Sequence, residues 1–231
     1  AYILSVFQLP RLMPLTRGLI IATAVSFLLH TVMQVWVAFP LSNYTGLLTG
    51  GVTPWTALQL VTHPLAWFIA PRSAGTLLID LLVLWFALGA FEERFGGKAT
   101  ATLVAASTLG SGVLAVLVGL LARPDVILGP TIWFLAGWAG LGWALRHAPI
   151  NLLGLNLRGV IYVWVALVIV VLNFLTDPRV PTLFAELGAI GAGVGFVAWR
   201  KRRLPPARIS SVVSLSAARK ARDGKNKEWL N

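Results

Sequence analysis

Long apolar stretches separated by short polar segments run through most of the chain. Six of them approach the roughly 20 residues that a membrane-spanning helix needs, and they cover residues 18–39, 75–91, 99–121, 127–145, 157–175 and 183–199. The second and sixth are short, so we expect both to lie inside a bundle in which other helices surround their ends. The pattern predicts an all-α membrane protein with six transmembrane helices.

Lysine and arginine residues are concentrated on one side of these spans. Ten of them flank the spans on the side that holds both ends of the chain, whereas the opposite connections contain only Arg72, Arg123 and Arg179. Cytoplasmic loops carry an excess of positive charge. We therefore expect cytoplasmic N and C termini and an integral, multi-pass protein of a bacterial-type plasma (inner) membrane.

The segments that flank the spans divide the chain into three parts. Residues 1–17 lack the features of a signal peptide in their usual order, so they are predicted to be an interfacial segment. Residues 18–199 form the six-span domain, and residues 200–231 form a basic cytoplasmic tail with ten Lys/Arg against two acids. We expect the start of this tail to contact anionic lipid rather than nucleic acid. Its first four residues are Arg200, Lys201, Arg202 and Arg203.

Composition narrows the class of protein. Charged residues make up 12% of the chain, hydrophobic residues make up 57%, and the mean hydropathy is +0.80. A soluble domain carries about 25% charged residues, so the soluble globular and disordered classes are excluded. The sequence has no cysteine, which excludes disulfides, thiolate metal sites and cysteine nucleophiles.

The connection between the first two spans, residues 40–74, is long and apolar and has almost no charge. Connections of this length are usually functional or disordered, and this composition is too apolar for disorder. We expect an external loop that is partly submerged in the outer leaflet, with Trp55 and Trp67 at the level of the lipid headgroups.

Three spans place polar residues at a similar depth. Asp80, Thr131 and Glu186 each fall near the outer start of a predicted span. Polar residues are costly in a membrane and are therefore candidates for function. The two acids either hydrogen-bond to Thr76, Thr131, the backbone or water and tie spans two, four and six together, or they form a proton or cation site or dock a polar group of a partner helix.

Small residues mark helix faces that allow two backbones to approach closely. The sixth span repeats such residues four apart, and the fourth span is also rich in them. A contact between these two spans would bring Thr131 near Glu186. The helix-packing candidates are Gly188, Gly191, Gly195, Gly137 and Gly140.

Four short motifs follow one another in a characteristic order. Residues 59–64 are Gln-Leu-Val-Thr-His-Pro, residues 84–89 are Leu-Trp-Phe-Ala-Leu-Gly, and residues 92–96 are Glu-Glu-Arg-Phe-Gly. In the sixth span, residues 185–189 follow the pattern Ala-x-Leu-Gly-Ala. Over roughly residues 50–200, the chain resembles the rhomboid family of intramembrane serine proteases. The resemblance implies a six-transmembrane rhomboid-like helical bundle.

The catalytic residues of that family do not carry over to this sequence. Its members use a serine in a Gly-x-Ser-Gly motif and a histidine on the sixth span. Here residues 129–132 are Gly-Pro-Thr-Ile, so Thr131 stands at the nucleophile position and Glu186 at the histidine position. Thr76 and Asp80 replace the histidine and asparagine that help to hold the oxyanion in the family. Because a hydroxyl nucleophile needs an adjacent base and the oxyanion needs donors, we expect a pseudoprotease and not an enzyme.

A rhomboid-like bundle without protease chemistry keeps the ability to recognise a transmembrane helix. We expect a non-catalytic scaffold or accessory subunit of a hetero-oligomeric complex. Its partners are the lipid bilayer and other integral membrane proteins, with no cofactor, metal or nucleic acid. Two alternatives remain open. One is an active intramembrane protease with Thr131 as nucleophile and Glu186 or His63 as base, and the other is a proton or cation site that uses Asp80 and Glu186.

Four further polar residues are weaker candidates for a functional site. His30 is expected to be a satisfied packing residue of the first span, His63 to order the external loop, and His147 to be solvated in a cytoplasmic turn. The spacing of the three histidines does not match a metal site. Asn173 is expected to cap or bridge helices.

Overall fold

Helices account for most of the chain, which the computed structural model describes over residues 10–69, 73–152 and 155–203. The α-helices of these residues are α1 (Pro14–Thr31), α2 (Ser42–Thr45), α3 (Thr56–Thr62), α4 (Ser73–Leu84), α5 (Ala90–Phe95), α6 (Gly97–Gly119), α7 (Thr131–Ala144), α8 (Ile161–Thr176) and α9 (Val180–Arg203). A 3₁₀ turn, His63–Leu65, follows α3. The strands form two antiparallel pairs, β1 (Leu47–Leu48) with β2 (Val126–Ile127) and β3 (Pro149–Leu152) with β4 (Leu155–Arg158).

Two π-helical turns lengthen the first two spans. The turn Val32–Trp36 extends α1, and the turn Trp85–Gly89 joins α4 to α5. Within the described residues, four helices are long and apolar enough to cross a membrane. They are Pro14–Trp36, Ala74–Phe95, Gly97–Gly119 and Val180–Arg202. The architecture is that of an all-α membrane protein.

The short helices are not the ones that the apolar pattern indicated. The second and sixth spans, predicted as 75–91 and 183–199, extend to 22 and 23 residues. Instead, α7 has 14 residues and α8 has 16. At 1.5 Å per residue, α7 rises only about 21 Å, which is less than the roughly 30 Å of a bilayer's hydrocarbon core.

α7 begins later than its apolar stretch because the chain turns immediately before it. Gly129 has a φ of +89°, which lies in the left-handed region that favours glycine. Pro130 directly precedes the first helical residue, Thr131. The fifth predicted span is shortened in a similar way, because its first residues belong to β4 and α8 starts only at Ile161.

α7 lies at the centre of the bundle. Ten of its 14 residues are buried. The seven of them that are not glycines belong to one apolar core with side chains from α4, α5, α6, α8 and α9. A helix that is apolar on all sides is typically a buried helix. Because other helices enclose α7, its length does not have to match the thickness of a bilayer.

Glycines set how closely α9 approaches its neighbours. A Cβ atom at Gly193 would collide with the carbonyl oxygen of Ala136 and would lie 3.0 Å from the backbone nitrogen of Gly140. A Cβ atom at Gly188 would lie 3.3 Å from the Cα atom of Ser111 on α6. The predicted fourth and sixth spans, α7 and α9, are therefore in backbone contact, and the contact on α9 is made by Gly193.

The other packing candidates fall on two different kinds of surface. Gly137 faces the π-turn of the second span, where a Cβ atom would lie 2.9 Å from Cδ2 of Leu88. Gly191 and Gly195 have no atom within 4 Å of the place that a Cβ would occupy, and both are exposed. The expectation that these two glycines pack within the bundle is wrong. The residue of α9 that touches α7 is Gly193, which lies two positions from each of them and faces the other way.

The predicted external loop is folded against α1. The Ser26 hydroxyl donates to the carbonyl oxygen of Leu65 at 2.5 Å. The Gln34 side chain donates to the carbonyl oxygen of Ile69 at 3.0 Å and accepts from the Ile69 N–H at 3.2 Å. These bonds fix the end of the loop to the first span.

Within the loop, α3 has an inverted distribution of polar and apolar residues. Thr56 and Gln59 are buried, whereas Leu58 and Val61 are 50% and 59% exposed. Trp55, immediately before α3, is also exposed. The apolar side chains of α3 point away from the protein and its polar side chains point inward. This arrangement is suited to contact with lipid and not with water.

Trp67 departs from the expected position at the lipid headgroups. It is only 6% exposed, and its ring packs edge-on against Phe27 of α1 with 5.3 Å between the ring centroids. Trp67 is buried because the T-shaped contact with Phe27 and the removal of its large ring from solvent both stabilise the packing of the loop on α1.

The first and second spans are joined by a buried carboxylate. Glu92 is 2% exposed, and it accepts hydrogen bonds from the backbone N–H of Leu15 at 3.0 Å and of Thr16 at 2.7 Å. The Thr16 hydroxyl donates to it as well, at 2.7 Å. The first N–H groups of a helix have no partner within the helix, so Glu92 acts as the N-terminal cap of α1 and places its negative charge at the positive end of the helix dipole.

The chain also contains a second structural unit, Trp199–Asn231. Its described residues, 199–203, are helical and include Arg200, Lys201 and Arg202. Residues 204–231 of the predicted basic tail and residues 1–9 of the predicted interfacial segment lie outside the described residues.

Removal of the Glu92 cap should destabilise the protein. In Glu92→Ala, the N–H groups of Leu15 and Thr16 lose their acceptor, and we expect a loss of roughly 1–3 kcal/mol in the free energy of unfolding. The measurement is thermal unfolding of the purified protein in detergent. Glu93→Ala is the matched control because Glu93 is exposed, and an equal loss in both variants would contradict the capping role.

Substitutions at two glycines of α9 should have opposite consequences. Gly193→Ala forces a methyl group against the backbone of α7 and should cost about 1–3 kcal/mol or more. Gly191→Ala enters open space and improves helix propensity by up to about 1 kcal/mol, so its stability should be unchanged or raised. Thermal unfolding compares the two variants, and similar midpoints would disprove the close approach at Gly193.

Candidate functional site

A cavity of about 260 Å³ opens at the end of the bundle where α7 and α9 begin and α8 ends. Most of its polar lining comes from these three helix ends. The polar residues of the lining are Thr131, Asn173, Thr176, Asp177, Arg179, Thr182 and Glu186. The structure thus brings together Thr131 and Glu186, as a contact between the fourth and sixth spans predicts.

Glu186 is the most deeply placed charged residue of this lining and is 6% exposed. The Nδ2 atom of Asn173 donates a hydrogen bond to its Oε1 atom at 2.9 Å. The acid therefore ties α8 to α9, which are the fifth and sixth predicted spans. This corrects the alternative in which it ties the second, fourth and sixth spans, and it shows Asn173 as a residue that bridges helices.

Thr131 lies in the same cavity without a base. Among the described residues, its hydroxyl makes no hydrogen bond to Glu186, to His63 or to any other group. A hydroxyl that no base holds keeps its ordinary weak nucleophilicity. Ile132, which follows it, is buried in the apolar core.

The rim of the cavity is held by a network of charges. The Asp125 carboxylate accepts hydrogen bonds from the Val126 N–H at 2.8 Å, from the Thr182 hydroxyl and from Nη1 of Arg179 at 3.3 Å. Nε of Arg179 pairs with the Asp177 carboxylate at 2.8 Å. Two acids thus hold the arginine, and the network fixes the start of α9 to the segment before α7.

Asp80 and Thr76 do not belong to this cavity. Neither residue lines it. Asp80 is partly buried on α4 and makes no hydrogen bond or ion pair with another described residue, and Thr76 is exposed. The predicted layer of three polar residues is therefore reduced at the cavity to Thr131 and Glu186. The helix that carries Thr76 and Asp80, α4, packs against α1 and α7.

His63 is fully buried, and it does not line the Thr131 cavity. Its Nδ1 atom lies 3.1 Å from the carbonyl oxygen of Gln59, and its ring faces Gly112 of α6. Its own carbonyl oxygen accepts the N–H of Gly129 at 3.1 Å. His63 thus joins the external loop to the turn before α7. Burial lowers the pKa of His63 to about 4, although hydrogen bonds to the backbone oppose this shift.

The other two histidines take the places that the sequence predicts. His30 is buried, with Nδ1 at 2.8 Å from the carbonyl oxygen of Ser26 and Nε2 at 2.9 Å from Oγ1 of Thr45. His147 is exposed, and Nε of Arg146 donates to it at 3.0 Å. No group of three His, Cys, Asp or Glu side chains with metal-ligand geometry occurs among the described residues.

Sequence reasoning missed Asp125, which holds the rim of the cavity, and Glu92, which caps α1 outside the cavity. Asp125 was not considered, although an acid two residues after an arginine at the edge of a span is a signal for an interhelical ion pair. Glu92 was noticed only as part of a motif. Its partners lie 76 and 77 residues away in the chain, and no local pattern indicates them.

A scan against protein-family models finds no match for this chain, and a search of curated proteins finds no relative.

The buried histidine should make stability depend on pH. The pKa of His63 is about 4 in the folded protein and near 6.5 when the side chain is exposed, so the unfolded chain binds its proton first as the pH falls. The free energy of unfolding should therefore decrease between pH 6.5 and pH 4, by on the order of 3 kcal/mol for this group.

Thermal unfolding over this pH range tests the effect. His63→Gln removes the titrating group and should flatten the pH dependence relative to the unchanged protein. His147→Gln is the control because His147 is exposed and should leave the dependence as it was. An identical slope in His63→Gln would show that this histidine is not buried in its neutral form.

Proposed function

We propose that this chain is a non-catalytic, rhomboid-like membrane protein that binds transmembrane helices of partner proteins. It acts as a scaffold or accessory subunit of a membrane complex. In this proposal the bundle has six spans, lies in a bacterial-type plasma membrane and has both termini in the cytoplasm. The resemblance to rhomboid proteases in residues 50–200 is the starting point, and the geometry of the described residues supports the rest.

The arrangement around Thr131 supports a protein without protease chemistry. Acyl transfer needs a base within hydrogen-bond reach of the nucleophile and donors for the oxyanion. Thr131 has no such base among the described residues, since Glu186 binds Asn173 and the His63 ring faces α6. The carboxylate in the cavity would repel a developing negative charge.

The observation that carries the proposal is the open glycine face of α9. Gly191 and Gly195 form a Gly-x-x-x-Gly pair on a helix that is long and apolar enough to span a membrane. Nothing within the described residues covers them. In lipid, faces of this kind let a second helix approach until the backbones are in contact, so the pair offers a docking place for a partner helix.

The neighbouring helix is also incompletely covered. α8 buries only Ala166 and Val170, whereas Trp164, Val168 and Leu172 are more than half exposed. These side chains are suited to lipid or to the apolar side of another helix. They offer a second apolar surface to a partner, in addition to the glycine face of α9.

The alternative of a proton or cation relay receives less support. It requires Asp80 and Glu186 along one polar path. Asp80 does not line the cavity that contains Glu186.

Bulky residues on the glycine face should disrupt the complex. Gly191→Leu combined with Gly195→Leu fills the space that a partner backbone needs, and we expect at least about a tenfold loss of the membrane subunit that co-purifies with the full-length protein in mild detergent. The readout is quantitative mass spectrometry of the purified complex. Thermal unfolding verifies that the variant keeps its fold.

Gly110→Leu is the matched control. Gly110 is exposed on α6 and has the same open space around its Cβ position, so this variant should retain the partner. The proposal is wrong if no membrane subunit co-purifies in stoichiometric amount, or if the control loses it as completely as the double variant.

A further inference from the structure

The lining of the Thr131–Glu186 cavity presents several hydrogen-bond acceptors that have free lone pairs. The Thr176 hydroxyl already donates to the carbonyl oxygens of Leu172 and Asn173. The Thr182 hydroxyl donates to Asp125, and the amide nitrogen of Asn173 donates to Glu186. Each of these groups therefore has lone pairs left and a donor that is engaged elsewhere.

Glu186 itself has acceptor capacity to spare. Its Oε1 atom receives the hydrogen bond from Asn173, and its Oε2 atom has no hydrogen-bond partner among the described residues. The side chain is more than nine-tenths buried and lines the cavity. A buried carboxylate is strongly stabilised by a cation that also donates hydrogen bonds.

The charges at the cavity favour a cationic occupant. Arg179 is the one basic residue of the lining within the described part of the chain, and it is bound by Asp177 and Asp125. Each of these acids has one negative charge, so the rim network is net negative even with the arginine. The ionised form of Glu186 adds a further negative charge beneath it, and a bound cation stabilises this form.

The size of the cavity sets the size of its ligand. A volume of about 260 Å³ is below the range of about 300–1,000 Å³ that is usual for drug-sized ligands. A helix, with a diameter of about 10 Å, does not fit into it. The cavity matches a small polar group at the end of a short chain.

We propose that this cavity binds a primary ammonium group, with the Glu186 carboxylate as its counter-ion. An ammonium group has three donors and no acceptor, which complements a lining of carboxylate, amide and hydroxyl oxygens. Glu186, the Asn173 carbonyl oxygen and the Thr131 hydroxyl supply the acceptors. The site does not depend on the partner-helix proposal, since the ammonium belongs to a free amine or to the ethanolamine headgroup of a lipid.

Binding of propylammonium chloride to the full-length protein in detergent tests the site. The salt should raise the thermal unfolding midpoint in a saturable way, whereas propanol and sodium chloride at the same concentrations should not. Glu186→Gln should weaken the apparent affinity by at least about tenfold, because the charge-assisted hydrogen bond is lost. Asp80→Asn is the matched control, and its affinity should stay within about twofold.

If Glu186→Gln does not fold, a second variant tests the site. Thr131→Lys places an ammonium group permanently in the cavity, and it should raise the unfolding midpoint and abolish the response to propylammonium. An undiminished response in Thr131→Lys would overturn the proposal. Equal effects of propanol, or equal losses in Glu186→Gln and Asp80→Asn, would also overturn it.

Nanodiscs distinguish the two sources of the ammonium group. If the source is lipid, discs with phosphatidylethanolamine should stabilise the protein more than discs of phosphatidylcholine alone, through Glu186 and in competition with propylammonium. If the source is a free amine, the two lipids should be equivalent and propylammonium should stabilise the protein in both. If neither phosphatidylethanolamine nor propylammonium stabilises the protein, the ammonium site is refuted.

Discussion

The structure depends on the enclosure of one short helix by longer ones. α7 rises about 21 Å, so it is too short to cross a bilayer alone, and its seven buried non-glycine residues pack in the core formed with α4, α5, α6, α8 and α9. In lipid, a helix of this length is stable only where protein surrounds its ends, because unsatisfied backbone groups cost several kcal/mol each. Gly193, which brings α9 against the backbone of α7, is the residue that makes this enclosure tight.

The cavity is a consequence of the same constraint. Because the chain turns at Gly129 and Pro130, α7 starts at Thr131, and the space beside its first turn is lined by the end of α8 and the start of α9. Polar groups in that space need hydrogen-bond partners. Most of them bind one another: Asn173 binds Glu186, and Asp125 binds Arg179 and Thr182. The acceptor oxygens that remain unbound make the cavity suited to a ligand that donates hydrogen bonds.

The sequence was sufficient for the positions of the main helices and for one contact. Each of the six apolar stretches contains a helix, but only four helices of the described residues are long enough to span a membrane. The small residues of the predicted fourth and sixth spans indicated that Thr131 and Glu186 line one cavity. The length of each helix was harder to predict, because hydropathy does not distinguish an apolar strand such as β2 from a helix. The Gly-Pro pair at 129–130 was a usable signal for the later start of α7.

Interactions between distant residues were beyond the sequence pattern. Glu92 caps α1 from another span, and Gly191 and Gly195 resemble packing residues whichever side of α9 faces the core. The inverted face of α3 was hidden as well, since its polar residues find their partners inside the protein. In each case the deciding factor is which face of a helix is covered, and a single sequence does not contain that information.

The central claim is that the hydroxyl of Thr131, which the rhomboid resemblance places at the nucleophile position, is not activated. Treatment of the full-length protein with a fluorophosphonate, which reacts with activated serine and threonine hydroxyls, followed by intact-mass and peptide mass spectrometry, tests this claim most directly. The account predicts that Thr131 remains unmodified at neutral pH under conditions that label an active serine hydrolase completely. A stoichiometric adduct on Thr131 would contradict it.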